Sequence, residues 1–312
     1  MRILRHYSHP PDEAKGAVVA LGNFDGVHRG HQALIAEARA IAKETGRPLA
    51  ALVFEPYPRE FFRPKDEPFR LTPFRAKARL LQELGIEILI VLAFDAGMAG
   101  RLAQDFVMDV LVHELEVSHI VVGEDFRFGK GRGGDVTTLG YMGEMEGFGV
   151  TVFKAVAEDG EKISSSKVRA ALKAGRPDEA AHLLGHWWSV EGHVAHGDRR
   201  GRELGFPTAN LKLEHTLHPA FGVYAVRARI ADRTQIHDGV ANFGIRPMVR
   251  LPTPLLEVHR FDFSRDIYGE ILSVELIAYL RGEMIFADLE ALKVQMAADS
   301  KEARQILAKT GP

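Results

Sequence analysis

Two histidines carry the first chemical signal in this chain. His28 and His31 stand three residues apart in GNFDGVHRGHQAL, Gly22 to Leu34, with Gly30 between them. Side chains at that spacing share one face of a helix. The apolar run AVVAL before the turn reads as a strand, so the pair falls where a first helix starts. A helix start offers free backbone N–H groups and the positive end of the dipole, and both favour anions. Two imidazole donors beside those amides suit one phosphate group. Gly30 has no side chain, so a nucleotide can approach the backbone. Transfer of a phosphoryl group asks for such positioned donors. Metal ligation is the rival chemistry, but it needs a third ligand, and no HExxH or similar spacing is present. Ordinary capping or surface histidines are the third alternative.

Two further segments fit the same chemistry. GEDFRFGKGRGG, Gly123 to Gly134, sets Arg127, Lys130 and Arg132 among glycines, which suits a cationic loop near polyphosphate. Its formal GxGxxG match does not join a first strand tightly to a helix, as a dinucleotide fingerprint would. Nor is it a P-loop, because the spacing has one extra residue and Gly131 replaces Ser or Thr. KISSSKVRAAL, Lys162 to Leu172, places three hydroxyls ahead of a helical stretch that carries Arg169. Ser164, Ser165 and Ser166 are either plain N-caps or further phosphate donors.

The elements that must position these residues change rhythm along the chain. The first half has apolar runs at Ala17–Leu21, Leu49–Phe54, Ile86–Leu92, Ile120–Val122 and Val152–Val156. Between the earlier ones lie helical patterns: His31–Lys43 ended by Gly46, Thr72–Gly85 with Thr72 as N-cap and Pro73 first in the helix, and Gln104–Leu115. Strand–helix alternation predicts a parallel sheet covered on both faces, with ligands at the carboxyl ends of its strands. After Gly185 the strand-like runs VEGHVAHG, TANLKL, GVYAVRARI, LLEVHRFDF and ILSVELIAYL follow one another without helices. They predict an antiparallel sheet or small barrel. One helix closes the chain, with Phe286, Leu289, Leu292, Met296, Ala303 and Ile306 or Leu307 as its packing stripe. The predicted division is 1–185 and 186–312.

Composition excludes several classes. The 312 residues hold no cysteine, so disulfides, thiolate zinc sites and cysteine nucleophiles are absent. A formal net charge of −2 gives no sign of a general polyanion binder. The first residues lack the apolar core of a secretory signal, and no run of about 18 apolar residues predicts a membrane span. The expected location is the cytoplasm, with neither nucleic acid nor membrane as partner.

Taken in order, GNFDGVHRGH, FEPYPRE, GEDFRFGKGRGG and ISSSKVR resemble the adenylyltransferase half of bacterial bifunctional riboflavin kinase/FAD synthetases. GRELGFPTANL, GVYAV, GVANFGIRP, LLEVHRFDF, IYGE and LRGE resemble their riboflavin kinase module. The resemblance covers nearly the whole chain. HxGH alone would indicate only the wider nucleotidylyltransferase superfamily, whereas GRELGFPTAN with LLEVHRFDF is much more particular. It implies an α/β plus β architecture: a Rossmann-like domain over 1–185, and a six-stranded antiparallel barrel with a terminal helix over 186–312. It also implies two reactions in series. Riboflavin and ATP give FMN, then FMN and a second ATP give FAD and pyrophosphate, with Mg²⁺ accompanying ATP.

The resemblance assigns roles residue by residue. His28 and His31 would act on ATP phosphate, with Ser164, Ser165, Ser166 and Arg169. Gly22, Asn23 and Gly30 would help seat the nucleotide. Phe62, Asp125 and Phe128 would contact flavin, although core packing is the equal alternative for the two aromatics. In the kinase half, Gly197 would lie in a glycine-rich phosphate loop, and Thr208 and Asn210 near Mg²⁺ and ATP phosphate. Glu257 would be the general base. Its period-2 face also carries Leu255, His259, Phe261 and Phe263, and a carboxylate on an apolar face needs either catalysis or an ion pair to explain it. Three positions depart from the family pattern: Tyr57 where many members have His, Ser166 where Thr is usual, and Met248 where Thr is frequent.

Part of the signal is shared with class I aminoacyl-tRNA synthetases, whose lysine–serine motif KISSSK loosely resembles. No basic tRNA-binding domain is evident in the sequence. A flavin- or nucleotide-binding regulator without activity is the non-enzymatic reading, against which stand His28, His31, Thr208, Asn210 and Glu257.

Overall fold

The computed structural model describes residues 1–158, 160–195, 206–213, 215–231, 233–245 and 254–311. The chain divides into two compact units. The first comprises Met1–Asp66 and Phe74–Ile163, the second Glu67–Pro73 and Ser164–Pro312.

The first unit is built on a six-stranded sheet. Its strands are β1 (Arg2–Leu4), β2 (Val18–Leu21), β3 (Leu49–Glu55), β4 (Ile88–Ala93), β5 (His119–Gly123) and β6 (Gly149–Phe153). All neighbours run parallel, in the order β1-β4-β3-β2-β5-β6. The central runs are apolar throughout because both faces are covered. Alternate residues feed separate cores. Val19, Leu21, Ala50, Leu52, Ile90 and Val122 pack on one face, and Val18, Ala20, Ala51, Val53, Val91 and Val121 on the other. Helix α1 (Arg29–Thr45) lays Leu34, Ile35, Ala38 and Ala42 on the second face, and α2 (Phe74–Glu83) adds Ala78 and Leu81. Gly46, at φ 66°, ends α1 as its spacing predicts.

Several local expectations shift. α2 starts at Phe74, so Pro73 precedes the helix rather than opening it. The last sheet strand ends at Phe153 rather than Val156. The predicted helix at Gln104–Leu115 is a short α turn, Ala103–Asp105, running into a π-helical segment, Phe106–Glu114. Helix α3 (Val136–Glu146) has few buried residues, Leu139 and Gly143, so its apolar pattern is faint; Asp135 caps it through the Thr138 N–H.

The second unit opens with α4 (Ser165–Lys173) and α5 (Pro177–Leu184). Its barrel strands are β7 (Ser189–His193), β8 (Ala209–Lys212), β9 (Gly222–Ile230), β10 (Ile236–Ile245), β11 (Pro254–Arg260) and β12 (Ile271–Arg281). They pair antiparallel in the order β7-β12-β9-β10-β11-β8, and an Ala195–Asn210 bridge nearly closes the ring. β10 escapes the strand rhythm because Gly239 and Gly244 interrupt it. A Cβ at Gly239 would lie 2.5 Å from the His259 carbonyl oxygen, so close strand approach excludes a side chain there. The interior holds Val190, Leu211, Tyr224, Val226, Phe243, Leu256, Val258 and Val274.

Helix α6 (Leu289–Leu307) covers an outer patch through Ala303 and Leu307 against Ala225 and Ile277. The predicted stripe holds only in its later turns; Leu289 is 65% exposed. The change of rhythm at Gly185 marks where the barrel starts. The packing division lies earlier, because Val168, Ala171 and Leu172 of α4 and Ala180 and Leu184 of α5 belong to the barrel's core cluster.

Candidate active sites

In the first unit the chain builds outward from β2 in two directions, to β3 and β4 on one side and to β5 and β6 on the other. Leu21 pairs with Val122, so the Gly22–His28 turn and the Gly123–Asp125 segment leave adjacent strand ends. Such a switch point is where open parallel sheets bind ligands.

The turn is strained and firmly held. Phe24 has φ 52°, Gly26 φ 83° and the β-branched Val27 φ 45°. Phe24 and Val27 are buried anchors, and the Gln32 side chain donates to the Val27 carbonyl at 2.8 Å. His28 is the N-cap of α1, and its Nδ1 accepts the His31 N–H at 3.3 Å. Acceptance at Nδ1 puts the proton of a neutral ring on Nε2. The two imidazoles stack with centroids 3.6 Å apart, and Phe24 meets His31 edge-on. Burial pushes the His31 pKa well below 6.5, reinforced by His28 and then by the Lys77 ammonium. Its Nδ1 is enclosed without a hydrogen-bond partner. Gly30 has a local reason as well: a Cβ there would lie 3.2 Å from the His28 ring.

The other residues expected in this unit are placed as follows. Asn23 is exposed, and its carbonyl faces Lys77 at 3.4 Å. Asp125 pairs with Lys162 at 2.8 Å, whose hydrogen bond holds the carboxyl below the usual range. Phe128 is buried in the core and stacks on Phe126, whereas Phe62 is exposed beside Phe61 and Phe94. In the glycine loop, a Cβ on Gly129 or Gly134 would lie 2.6 Å from Ala103, so packing explains these two glycines. Tyr57 is buried; its hydroxyl donates to Asp25 at 3.1 Å and accepts from Lys77 at 3.2 Å. Sequence reasoning missed Lys77. The legible signal was a lysine four residues before Leu81, on the apolar face of α2.

In the second unit, Ser164 caps α4 by accepting the Lys167 N–H, with Ser165 and Ser166 in the first turn. Arg169 donates through Nε to the Phe69 carbonyl at 2.8 Å and lies over the Phe69 ring. On the barrel, Ala209 and Leu211 point to the core, so Asn210 lies on the opposite face, where it is itself buried, and Thr208, half-buried, precedes the strand. Glu257 pairs in register with Asn210 on one side and Asn242 on the other. A polar row thus crosses three neighbouring strands. On β11, Leu256, Val258 and Arg260 are buried, and Glu257 lies with Leu255 and His259 on the opposite, half-buried face. Period 2 gives two candidate faces, and only barrel closure decides which points inward. His259 donates to the Pro207 carbonyl at 3.0 Å, tying β11 to the segment before Thr208. Gly197 and Met248 lie outside the described residues.

No group of three or more His, Cys, Asp or Glu is arranged to hold a metal among the described residues. Oxygen donors at Thr208 and Asn210 instead match a hard cation held mainly by substrate phosphates and water.

Comparison with known proteins extends this geometry. Residues 10–167 match the FAD synthetase family model, and residues 184–307 match the riboflavin kinase model. The bifunctional riboflavin kinase/FMN adenylyltransferase of Escherichia coli (strain K12) is 41% identical over all of this chain and 99% of its own length. Its counterpart in Bacillus subtilis (strain 168) is 37% identical, with 96% of each chain covered. A crystal structure titled macrolide-efflux protein, from Streptococcus pneumoniae, superposes with a TM-score of 0.85 at 30% identity, covering 97% of this chain and 98% of that one. With both family models matched in order and relatives aligned end to end, the chain belongs to the bifunctional riboflavin kinase/FMN adenylyltransferase family.

Proposed function

We propose that the two reactions of this bifunctional enzyme are divided between the two polar sites, with adenylyl transfer at the His28–His31 turn and riboflavin phosphorylation at the Asn210–Glu257 row. In adenylyl transfer an FMN phosphate oxygen attacks the α-phosphorus of ATP, the bond to the β-phosphate oxygen breaks, and pyrophosphate leaves. FMN is its own nucleophile. The protein's task is to hold developing charge. The observation that carries this reading is the capped, stacked imidazole pair at the start of α1, at the sheet's switch point. His28 Nε2–H is a donor at the positive end of the α1 dipole, and His31 adds a neutral imidazole. Asn23, Gly22 and Gly30 border the nucleotide. Ser164, Ser165, Ser166 and Arg169 keep the ATP-phosphate role, and Asp125, Phe62 and Phe128 the flavin role, that the family resemblance implies.

In the kinase reaction the riboflavin 5′-hydroxyl attacks the γ-phosphorus of ATP, its proton passes to the Glu257 carboxylate, and ADP leaves. Asn210, directly across the ladder from Glu257, brings the cation-binding oxygen beside the base. Mg²⁺ held by Thr208, Asn210 and ATP phosphates would neutralise charge on the transferring group. Gly197 keeps its proposed place in the loop over the phosphates.

Among the described residues no helix is long and apolar enough to cross a membrane.

Two variants test the division. His31→Ala should lose about 10²–10³-fold in FAD formation from FMN, the cost of one transition-state donor, while phosphorylating riboflavin normally. Glu257→Gln should lose about 10²–10⁴-fold in FMN formation, the usual range of general base catalysis, while still converting supplied FMN to FAD. Unchanged FAD synthesis in the first variant, or near-normal kinase turnover in the second, removes that residue from its role.

A further inference from the structure

Lys77 is fully buried, yet neither reaction uses it. Its ammonium group has three protons and three acceptors within reach: Glu55 Oε1 at 2.8 Å, the Tyr57 hydroxyl at 3.2 Å and the Asn23 carbonyl at 3.4 Å. The Tyr57 hydroxyl hands its own proton to Asp25 at 3.1 Å, and the Tyr57 ring lies 4.4 Å beneath the charge. One cation on α2 thereby joins the end of β3 to both Asn23 and Asp25 of the histidine turn.

Stability alone does not explain that arrangement. A buried ion pair gains little over well-packed apolar side chains of similar size and is often less stabilising than they are. A methionine would complete the apolar face of α2 beside Ala78 and Leu81. The turn has its own need for an external hold, because Phe24, Gly26 and Val27 all sit at positive φ and such backbone persists only where its surroundings over-determine it. The Tyr57 hydroxyl relays the hold to Asp25.

We propose that Lys77 is a positioning residue for adenylyl transfer, its buried ammonium clamping the Gly22–His31 turn to the end of β3 through Asn23, Glu55, Tyr57 and Asp25. This rests on the reading of that turn as the adenylyl transfer site.

The test is steady-state FAD formation from FMN and ATP by the full-length enzyme. Lys77→Met combined with Glu55→Gln removes both charges, so no carboxylate is stranded. Misplacing catalytic groups by about 1 Å costs on the order of 10²-fold, and the double variant should lose about 10–100-fold in kcat. KM for ATP and FMN should stay within about threefold, because a positioning defect acts on the transition state. Riboflavin phosphorylation and the thermal midpoint should be retained. Tyr57→Phe, which keeps the ring and removes the relay, should show a smaller loss of kcat at constant KM, and it decides the matter if the double variant fails to fold. Wild-type kcat in a folded double variant, or in Tyr57→Phe when that variant alone is folded, overturns the proposal. A fall in kcat accompanied by a rise in KM beyond about threefold and a lower thermal midpoint overturns it equally, in favour of a structural role. His31→Ala assayed alongside separates the two readings: if it retains FAD formation, the site assignment has failed, and if it loses FAD formation while the Lys77 variants do not, only the clamp has failed.

Discussion

At the residue scale, the histidine pair shows how position sets protonation. Burial, then the stacked His28, then the Lys77 charge keep His31 neutral far below its usual range. The unfolded chain has no such environment, so its imidazole takes up a proton near pH 6.5. As pH falls through that value, the unfolded state binds a proton that the folded state refuses, and stability decreases by about 1.4 kcal/mol per pH unit until the folded pKa is reached. His119 and His237 are shifted the same way by burial and add their own slopes. His31→Gln should therefore flatten, but not abolish, the decline between about pH 6.5 and 5, measured by urea unfolding at each pH. Asp125 does not confuse that window, because its depressed pKa acts below the carboxylate range. Equal slopes in variant and wild type would show that His31 takes its proton as readily folded as unfolded.

At the element scale, the terminal helix illustrates how anchoring differs from patterning. α6 has apolar residues at helical spacing along its length, but Leu289 and Val294 are each 65% exposed. Its hold on the barrel comes from later turns: Ala303 and Leu307 pack on Ala225 and Ile277, and Asp299 takes two hydrogen bonds from Arg281, at 2.9 and 2.7 Å. Arg227 reaches the carbonyls of Leu307, Thr310 and Gly311, supplying donors where the helix leaves acceptors unpaired. Asp299 is buried and Arg281 largely so, and breaking such a pair from one side strands a charge. Asp299→Ala should destabilise the second unit by roughly 3 kcal/mol, whereas Leu289→Ala should stay within about 0.5 kcal/mol. Denaturant titration of both variants checks the contrast, and equal midpoints would mean that the first turn carries the docking.

At the scale of the whole molecule, the rhythm of the sequence and the division of its packing fall in different places. The strand-only rhythm starts after Gly185, but α4, α5 and the short segment Glu67–Pro73 pack with the barrel. Trp188 donates to the Leu71 carbonyl at 2.8 Å, and Leu217 to that of Arg70. A fragment of residues 186–312 lacks Val168, Leu172, Ala180 and Leu184, and each large buried apolar side chain contributes about 1.5–3 kcal/mol. That loss is comparable to the whole stability of a typical domain. Residues 164–312 should unfold cooperatively and phosphorylate riboflavin without forming FAD, while 186–312 should unfold at clearly lower urea. Matching midpoints for the two fragments would return the boundary to Gly185.

The sequence by itself determined what depends on local order and residue type. Apolar runs placed the central strands, Gly46 placed the end of α1, and the HxGH and PTAN–Glu257 segments singled out the polar residues of both proposed sites. Those signals are readable because period, capping and turn chemistry act within a few residues of chain. Tertiary structure alone decided which face of β11 enters the barrel, since a period of 2 is symmetric until the sheet closes. It decided that β10 is a strand, because its glycines gain their meaning from the neighbouring backbone. It also decided that Lys77, 46 residues beyond His31, lies beneath the histidine turn. A buried charge is recognised by its surroundings, and those come from the histidine turn and the end of β3, two separate stretches of chain brought to α2 only by folding.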